Sequence, residues 1–416
     1  MLVALGLFIT IIAAGLWLRG VARCRAAEAD YRAFSPLARS LCHARRRPAF
    51  WLLAIAPAIA AFATGTGWEA LGPAATGVRL VAFIIAAVLA WAYATAERNY
   101  VLDQSHILER TALIALAASL WWHPAGLAPF LLVLHLVVGQ FDHIRGMFYT
   151  RTPLRLPVDL LALIAVGAPL VMAGWVPPAS LPLALLVVQG AHYFAAGLAK
   201  LRLAEGCTWW LRRNQLANLF MNGHVQGWLP SLSAERAARV FRAMRLLTLP
   251  LAAGTLLVEF GAVLAPLHPA VAIACGLACI ALHAGIYFSS SINFYKWAVA
   301  DAALVLMVVL LGPSGGTGVF GLPAMLAAMA ALPLALWLFA PVRLGWSDTR
   351  LCVFFKYQAI GMSGKVYDVP VTFFAPFDVI FAQNRFYFLR RRPHLVDTFG
   401  CNTRRDDAAN GLAAAI

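Results

Sequence analysis

Runs of roughly 15–22 apolar residues follow one another along almost the whole chain. A run of that length matches the ~20 residues an α-helix needs to cross the hydrocarbon core of a bilayer. Eleven are legible, at roughly 2–18, 50–66, 78–96, 110–123, 126–141, 156–175, 181–199, 246–264, 269–289, 298–312 and 319–341. The fourth and fifth are short and flank His123-Pro124-Ala125-Gly126, so they either cross or form a re-entrant hairpin; the parity of the later runs is the same in both cases. Of the 416 residues 62% are hydrophobic and 12% charged. Soluble domains carry about 45–50% apolar and about 25% charged residues, so a water-soluble enzyme, a disordered chain and a disulfide scaffold are excluded. The expected fold is all-α, a polytopic bundle of about 9–11 spans with a small cytoplasmic C-terminal tail.

The formal net charge of +15 has a positional explanation rather than a nucleic-acid one. Of the 33 lysines and arginines, 32 fall in 19–49, 97–110, 142–155, 200–245, 290–297 and the tail from Arg343. The intervening connections, around 67–77, 123–126, 175–181, 265–269 and 313–318, hold none, and Arg79 opens the third run. The positive-inside rule then places the N-terminus outside and the C-terminus in the cytoplasm. The first run has no basic segment before it and arginines after it, which reads as a retained anchor. High Ala, Gly and Arg usage fits a bacterial inner membrane.

Two regions are not spans. In 201–245 the segment from Ser233 to Arg245 reads as a basic amphipathic helix with a Ser N-cap, lying on an anionic leaflet. The tail holds two β-prone segments, Lys365–Phe374 and Asp378–Leu389, broken by Pro370 and Pro376 and suited to a small hairpin. The expected segments are 1–84 (N-terminal helices and basic loop), 85–343 (membrane core) and 344–416 (tail).

Polar residues inside apolar helices are the candidates for chemistry, because each costs roughly 2.5–3.5 kcal/mol at mid-span. They are Asp159, Gln189, His192, Lys200, Glu259, His283 and Asp301, with His135 in the short fifth run. Gln189, His192, Ala196 and Lys200 recur at i, i+3, i+7 and i+11, on one helical face. Such a face suits an anion or a shared proton; the structural alternative is a satisfied core histidine and a snorkelling lysine. Glu259 lies deep enough to need a partner or a proton. Asp159 sits near a helix N-terminus, where the dipole accounts for it. Asp301 is a weak candidate, since Lys296 at i, i+5 barely reaches it. The seven cysteines form no CxxC or zinc spacing, and Cys275 and Cys279, one turn apart, read as small buried thiols. No P-loop, GxGxxG, GxSxG or HExxH occurs. A metal would need His192, Glu259 and His283 to converge.

Three stretches resemble the HTTM family, the membrane domain shared with vitamin K-dependent gamma-carboxylase. They are His192-Tyr-Phe-Ala-Ala-Gly-Leu-Ala-Lys-Leu followed by Trp209-Trp210, then Leu256-Leu-Val-Glu-Phe with Pro266, then His283 with the Ser/Ile/Asn/Phe run to Phe294. The resemblance covers roughly residues 85–310. It implies a membrane enzyme using a reduced naphthoquinone or other quinol with dioxygen to modify a peptide or small substrate. Lys200 would be the base that deprotonates the quinol and His283 a proton-handling group, with His192, Glu259, Gln189, Arg110 and Asn293 at the substrate or cofactor. A lysine suits that step, because an amine held out of water releases its proton more readily. Arg110 stands where the family has the histidine that supports its lysine, and the tail is shorter than the carboxylase's soluble substrate domain. The alternatives are a non-enzymatic transporter or chaperone for a peptide or lipid, and a structural subunit. No nucleic-acid partner is implied, and the oligomeric state is not legible.

Reporter fusions test the sidedness. A reporter active only in the cytoplasm is expected to be active when fused after Phe339 and silent when inserted at Gly126 or Gly174. The opposite pattern would overturn the charge reading.

Overall fold

The computed structural model describes residues 1–25, 48–96, 107–139, 154–202, 208–213, 216–217, 220, 232–290, 294–339 and 357–369. The helices are α1 (Leu2–Arg25), α2 (Pro48–Ala63), α3 (Ala75–Trp91), α4 (Ile107–Ser119), α5 (Leu127–Gly139), α6 (Arg155–Met172), α7 (Ser180–Leu201), α8 (Trp209–Arg213), α9 (Ala234–Leu246), α10 (Thr248–Gly261), α11 (Pro269–Ser290), α12 (Tyr295–Gly315) and α13 (Leu322–Phe339). A 3-10 segment, Trp68–Ala74, leads into α3, a π turn, Ala92–Ala96, ends it, and a second 3-10 segment, Ala262–Leu267, follows α10. The chain is an all-α, multi-pass membrane protein. Eight of its helical segments are long and apolar enough to span, among the described residues. The expected second, fourth and fifth spans are shorter, at 16, 13 and 13 residues. A 13-residue helix rises only about 20 Å, and α4 and α5 pack against each other as a helical hairpin.

By contacts the chain divides into two units. Unit one comprises Met1–Phe194, Glu259–Ile280 and Tyr295–Pro341; unit two comprises Ala195–Val258, Ala281–Phe294 and Val342–Ile416. The boundary falls within α7, α10 and α11.

Unit one has an internal polarity. Helices α1 and α13 run parallel. A Cβ on Gly318 would meet Val3 at one end, and at the other the Arg19 Nε donates to the Leu338 carbonyl at 2.8 Å. The guanidinium also donates to the Trp337 carbonyl and stacks 4.7 Å from the Trp337 ring centroid. A cation thus caps orphan carbonyls at the negative end of α13. At the Met1 end the Ser180 hydroxyl donates to the Val3 carbonyl, and the Gly321 N–H donates to Pro266 and Leu267 carbonyls. Trp17 donates to the Leu53 carbonyl near the far end of α1, so α2 returns to the Met1 end. There Trp68 donates to the Leu120 carbonyl, and His123 bonds the Thr66 carbonyl and stacks on Phe62. All five connections that lack lysine and arginine therefore meet at one end of the unit.

Close approach is made by glycine. A Cβ on Gly77 of α3 would lie 3.2 Å from the Met307 Cα and carbonyl oxygen of α12. Large apolar side chains point outward, Leu257, Leu326 and Trp337 being more than 60% exposed. Polar Gln189, Asp159 and Asp301 are buried, an arrangement suited to lipid as solvent.

In unit two, α9 forms where a basic amphipathic helix was expected, and Ser233 caps it by accepting from the Arg236 N–H. Glu235, in the first turn, is held below the usual carboxylate range by backbone hydrogen bonding and the Ser233 hydroxyl. Strands β1 (Tyr357–Ile360) and β2 (Val366–Val369) form an antiparallel hairpin with Ile360 opposite Val366. The turn needs Gly364 at φ 77°. The Lys365 segment pairs with residues upstream through a five-residue loop. The segment Asp378–Leu389 lies outside the described residues.

Gly77→Val is expected to destabilise the protein by about 1–3 kcal/mol, the usual cost of overpacking. Gly254→Ala, where a Cβ meets nothing within 4 Å, is expected to be neutral or mildly stabilising. Thermal unfolding in detergent distinguishes them.

Candidate functional site: buried polar pairs along one membrane helix

The apolar composition of α6 and α7 buries both helices almost completely, and their polar residues must find partners inside the protein. Asp159, in the second turn of α6, lies with its Oδ2 2.8 Å from the His192 Nε2 of α7. Both side chains are buried, at 1% exposure. The Trp297 ring of α12 meets the imidazole edge-on, 5.4 Å between centroids and 90° between planes. The other imidazole nitrogen, Nδ1, is buried with no hydrogen-bond partner among the described residues. Asp159 is therefore more than a residue tolerated by a helix dipole: it is one half of a buried pair.

Asp301 of α12 is the larger surprise. Its Oδ1 accepts from the Gln189 amide at 2.7 Å and its Oδ2 from the Tyr193 hydroxyl at 2.5 Å. Tyr193 packs edge-on against Trp297, centroids 5.9 Å apart. One indole thus separates the Asp159–His192 pair from the Asp301 network. Cys279 of α11 adjoins Tyr193 and Asp301, so it borders a polar network rather than a plain apolar core. Glu259 is buried too, at 5% exposure. Cys275 donates to the Gly261 carbonyl at 3.3 Å. Gly190 makes room for all this: a Cβ there would lie 3.1 Å from the Val263 Cα.

Lys296 is buried at 3% exposure with its ammonium 5.4 Å from the Tyr93 ring centroid and 4.7 Å from that of Tyr295. Two aromatic faces thus flank its ammonium. Arg110 donates from Nε to the Ala94 carbonyl at 2.6 Å, inside the π turn. A π turn leaves carbonyls out of the regular ladder, and the guanidinium satisfies one.

Unit two holds the remaining candidates. Lys200 occupies the last turn of α7, 8% exposed, with Nζ 5.3 Å from the Trp210 ring centroid. His283 of α11 is 7% exposed and lies 5.4 Å from the Phe294 ring. Asn293 lies outside the described residues. His192 and Glu259 belong to unit one and His283 to unit two. No group of three histidine, cysteine or acidic side chains converges as a metal site among the described residues.

The positions underweighted from sequence are Asp301, Tyr193 and Trp297. Their only sequence signal was Asp301 itself, an acid inside an apolar run, since tyrosine and tryptophan there look like core.

Asp301→Ala is expected to cost about 1–3 kcal/mol for each donor it orphans, Asp301→Asn less, and Tyr193→Phe least. A double-mutant cycle between Tyr193→Phe and Asp301→Asn, read from unfolding in detergent, is expected to show a coupling of about 0.5–3 kcal/mol. No family model, curated protein or solved structure matches the chain.

Proposed function

We propose that the chain is a multi-pass membrane enzyme, related in chemistry to gamma-carboxylase, that uses a lipid-soluble quinol and dioxygen to modify a peptide or small substrate. It would lie in a bacterial inner membrane, the lysine- and arginine-free end outside and α9 on the anionic inner leaflet. The observation that carries the reading is Lys200: a lysine buried at the end of an apolar helix, with its amine against an indole face. A buried lysine is a costly residue whose ordinary catalytic use is as a base.

The fit to a quinol rests on the same contact. Trp210, 2% exposed, offers a flat aromatic wall beside the amine, suited to an aromatic ring. When bound, a quinol with dioxygen supplies an oxygen base strong enough to take a carbon-bound proton. Lys200 removes the hydroxyl proton, Trp210 orients the ring and excludes water, and His283 carries the proton onward.

A second reading has its own observation. An ammonium over an indole is a cation–π pair, which suits a binder or transporter of an anionic lipid or peptide.

Membranes holding wild type or Lys200→Ala at equal levels, given reduced naphthoquinone and heavy-isotope oxygen, separate the two. The enzyme reading expects labelled quinone epoxide in wild type and a loss of at least 100-fold, in line with general-base contributions of about 10²–10⁴, in Lys200→Ala and Lys200→Arg alike. The binding reading expects no epoxide, with Lys200→Arg retaining affinity because arginine keeps the charge.

A further inference from the structure

We propose that His192 presents its Nδ1 as a hydrogen-bond acceptor for the hydroxyl group of a lipid-soluble ligand, a hydroquinone, and that Asp159 is the positioning residue that keeps this nitrogen free of a proton. The choice of a hydroquinone rests on the quinol reading above; the tautomer does not.

With Asp159 as the carboxylate, which has only lone pairs to offer, the 2.8 Å contact from its Oδ2 assigns the hydrogen to the His192 Nε2. A neutral imidazole has one N–H, and Nδ1 is then a bare lone pair. The nitrogen is buried and meets no hydrogen-bond donor among the described residues. The ring is held on one side by Asp159 and against the Trp297 edge, so it is fixed while one nitrogen remains unused. Among the described residues, Asp159 faces it, Arg155 lies one turn before Asp159 on α6, and the neighbouring Tyr193 hydroxyl is already given to Asp301. None of them donates to Nδ1. A metal is a poor occupant, since no three-ligand cluster forms among the described residues. What Nδ1 can take is a donated hydrogen, such as a hydroxyl brings.

The arrangement is selective. A hydroquinone donates from its hydroxyls, whereas the corresponding quinone has only carbonyl oxygens, whose lone pairs would face that of Nδ1. The site therefore holds the reduced form and releases the oxidised one. Asp159→Asn is the sharp perturbation. Its amide donates to Nε2, the hydrogen moves to Nδ1, and the preference reverses.

The test uses the full chain in nanodiscs with ¹⁵N-imidazole histidine, the His192 signals being assigned by their absence in His192→Gln. Short-chain naphthohydroquinone under reductant and the matching naphthoquinone are the two probes. The expected result is an unprotonated Nδ1 that shifts with hydroquinone at a concentration at least tenfold below that needed for quinone, and the opposite order in Asp159→Asn. A protonated Nδ1 in wild type, or an equal or absent response to the two probes, overturns the proposal. Should Asp159→Asn fail to fold, the wild-type spectra and titrations decide alone. Lys200→Ala separates this site from the enzyme reading: the hydroquinone shift is expected to survive there. Lys200-dependent epoxide with no shift at His192 would sink this inference alone, and a shift with no epoxide the enzyme reading alone.

Discussion

A polar group inside a bilayer can be satisfied only by the protein itself, because hydrocarbon offers neither donor nor acceptor. In unit one this requirement shapes the packing of α6, α7 and α12. Asp159 needs His192, and Asp301 needs Gln189 and Tyr193. These bonds come from three segments far apart in the chain, so they fix which face of α7 meets which neighbour in a way that interchangeable leucines do not. Removing one partner of a buried pair is costly even where the pair itself adds little net stability, which makes such contacts specific devices for register.

Close packing supplies the other half. Helices in lipid gain little from apolar burial and associate through tight van der Waals contact, for which small residues clear the way. Gly77 lets α3 approach the backbone of α12, and Gly190 does the same for α7 and the segment at Ala262. Trp297 then fills the space between the two polar systems, touching His192 and Tyr193 at once. The ends are finished by the same economy of groups: Arg19 caps the carbonyls that close α13, and Arg110 takes one freed by the π turn.

Of the candidate site, the members were more legible than their relationships. Gln189, His192, Lys200, Glu259 and His283 stood out because each is polar in an apolar run. Asp159 and Asp301 were visible for the same reason but were assigned minor roles: a helix dipole explained the first, and the nearest basic residue in sequence, Lys296, lay at an awkward spacing from the second. Both explanations were local. The actual partners sit on other helices, 33 positions away for Asp159 and more than 100 for Asp301, and one-dimensional spacing says nothing about such pairs. Lys296 illustrates the same point, resting on Tyr93 from a helix two hundred residues earlier.

Hydropathy and charge are summed along the chain, so the sequence by itself determined the membrane class, the helical content, the connections free of lysine and arginine that meet at one end of unit one, and the short helical pair between the third and sixth runs. Each follows from a local count: enough apolar residues to cross, too few to cross comfortably, or a cation that does not cross at all. Only the tertiary structure decided which polar side chains meet, which nitrogen of His192 is left over, and that Tyr193 and Trp297 belong to a polar system rather than to plain core. A hydrogen bond depends on a distance of about 3 Å and a direction, and those are set by helix rotation and crossing, quantities that no single helix carries in its own sequence.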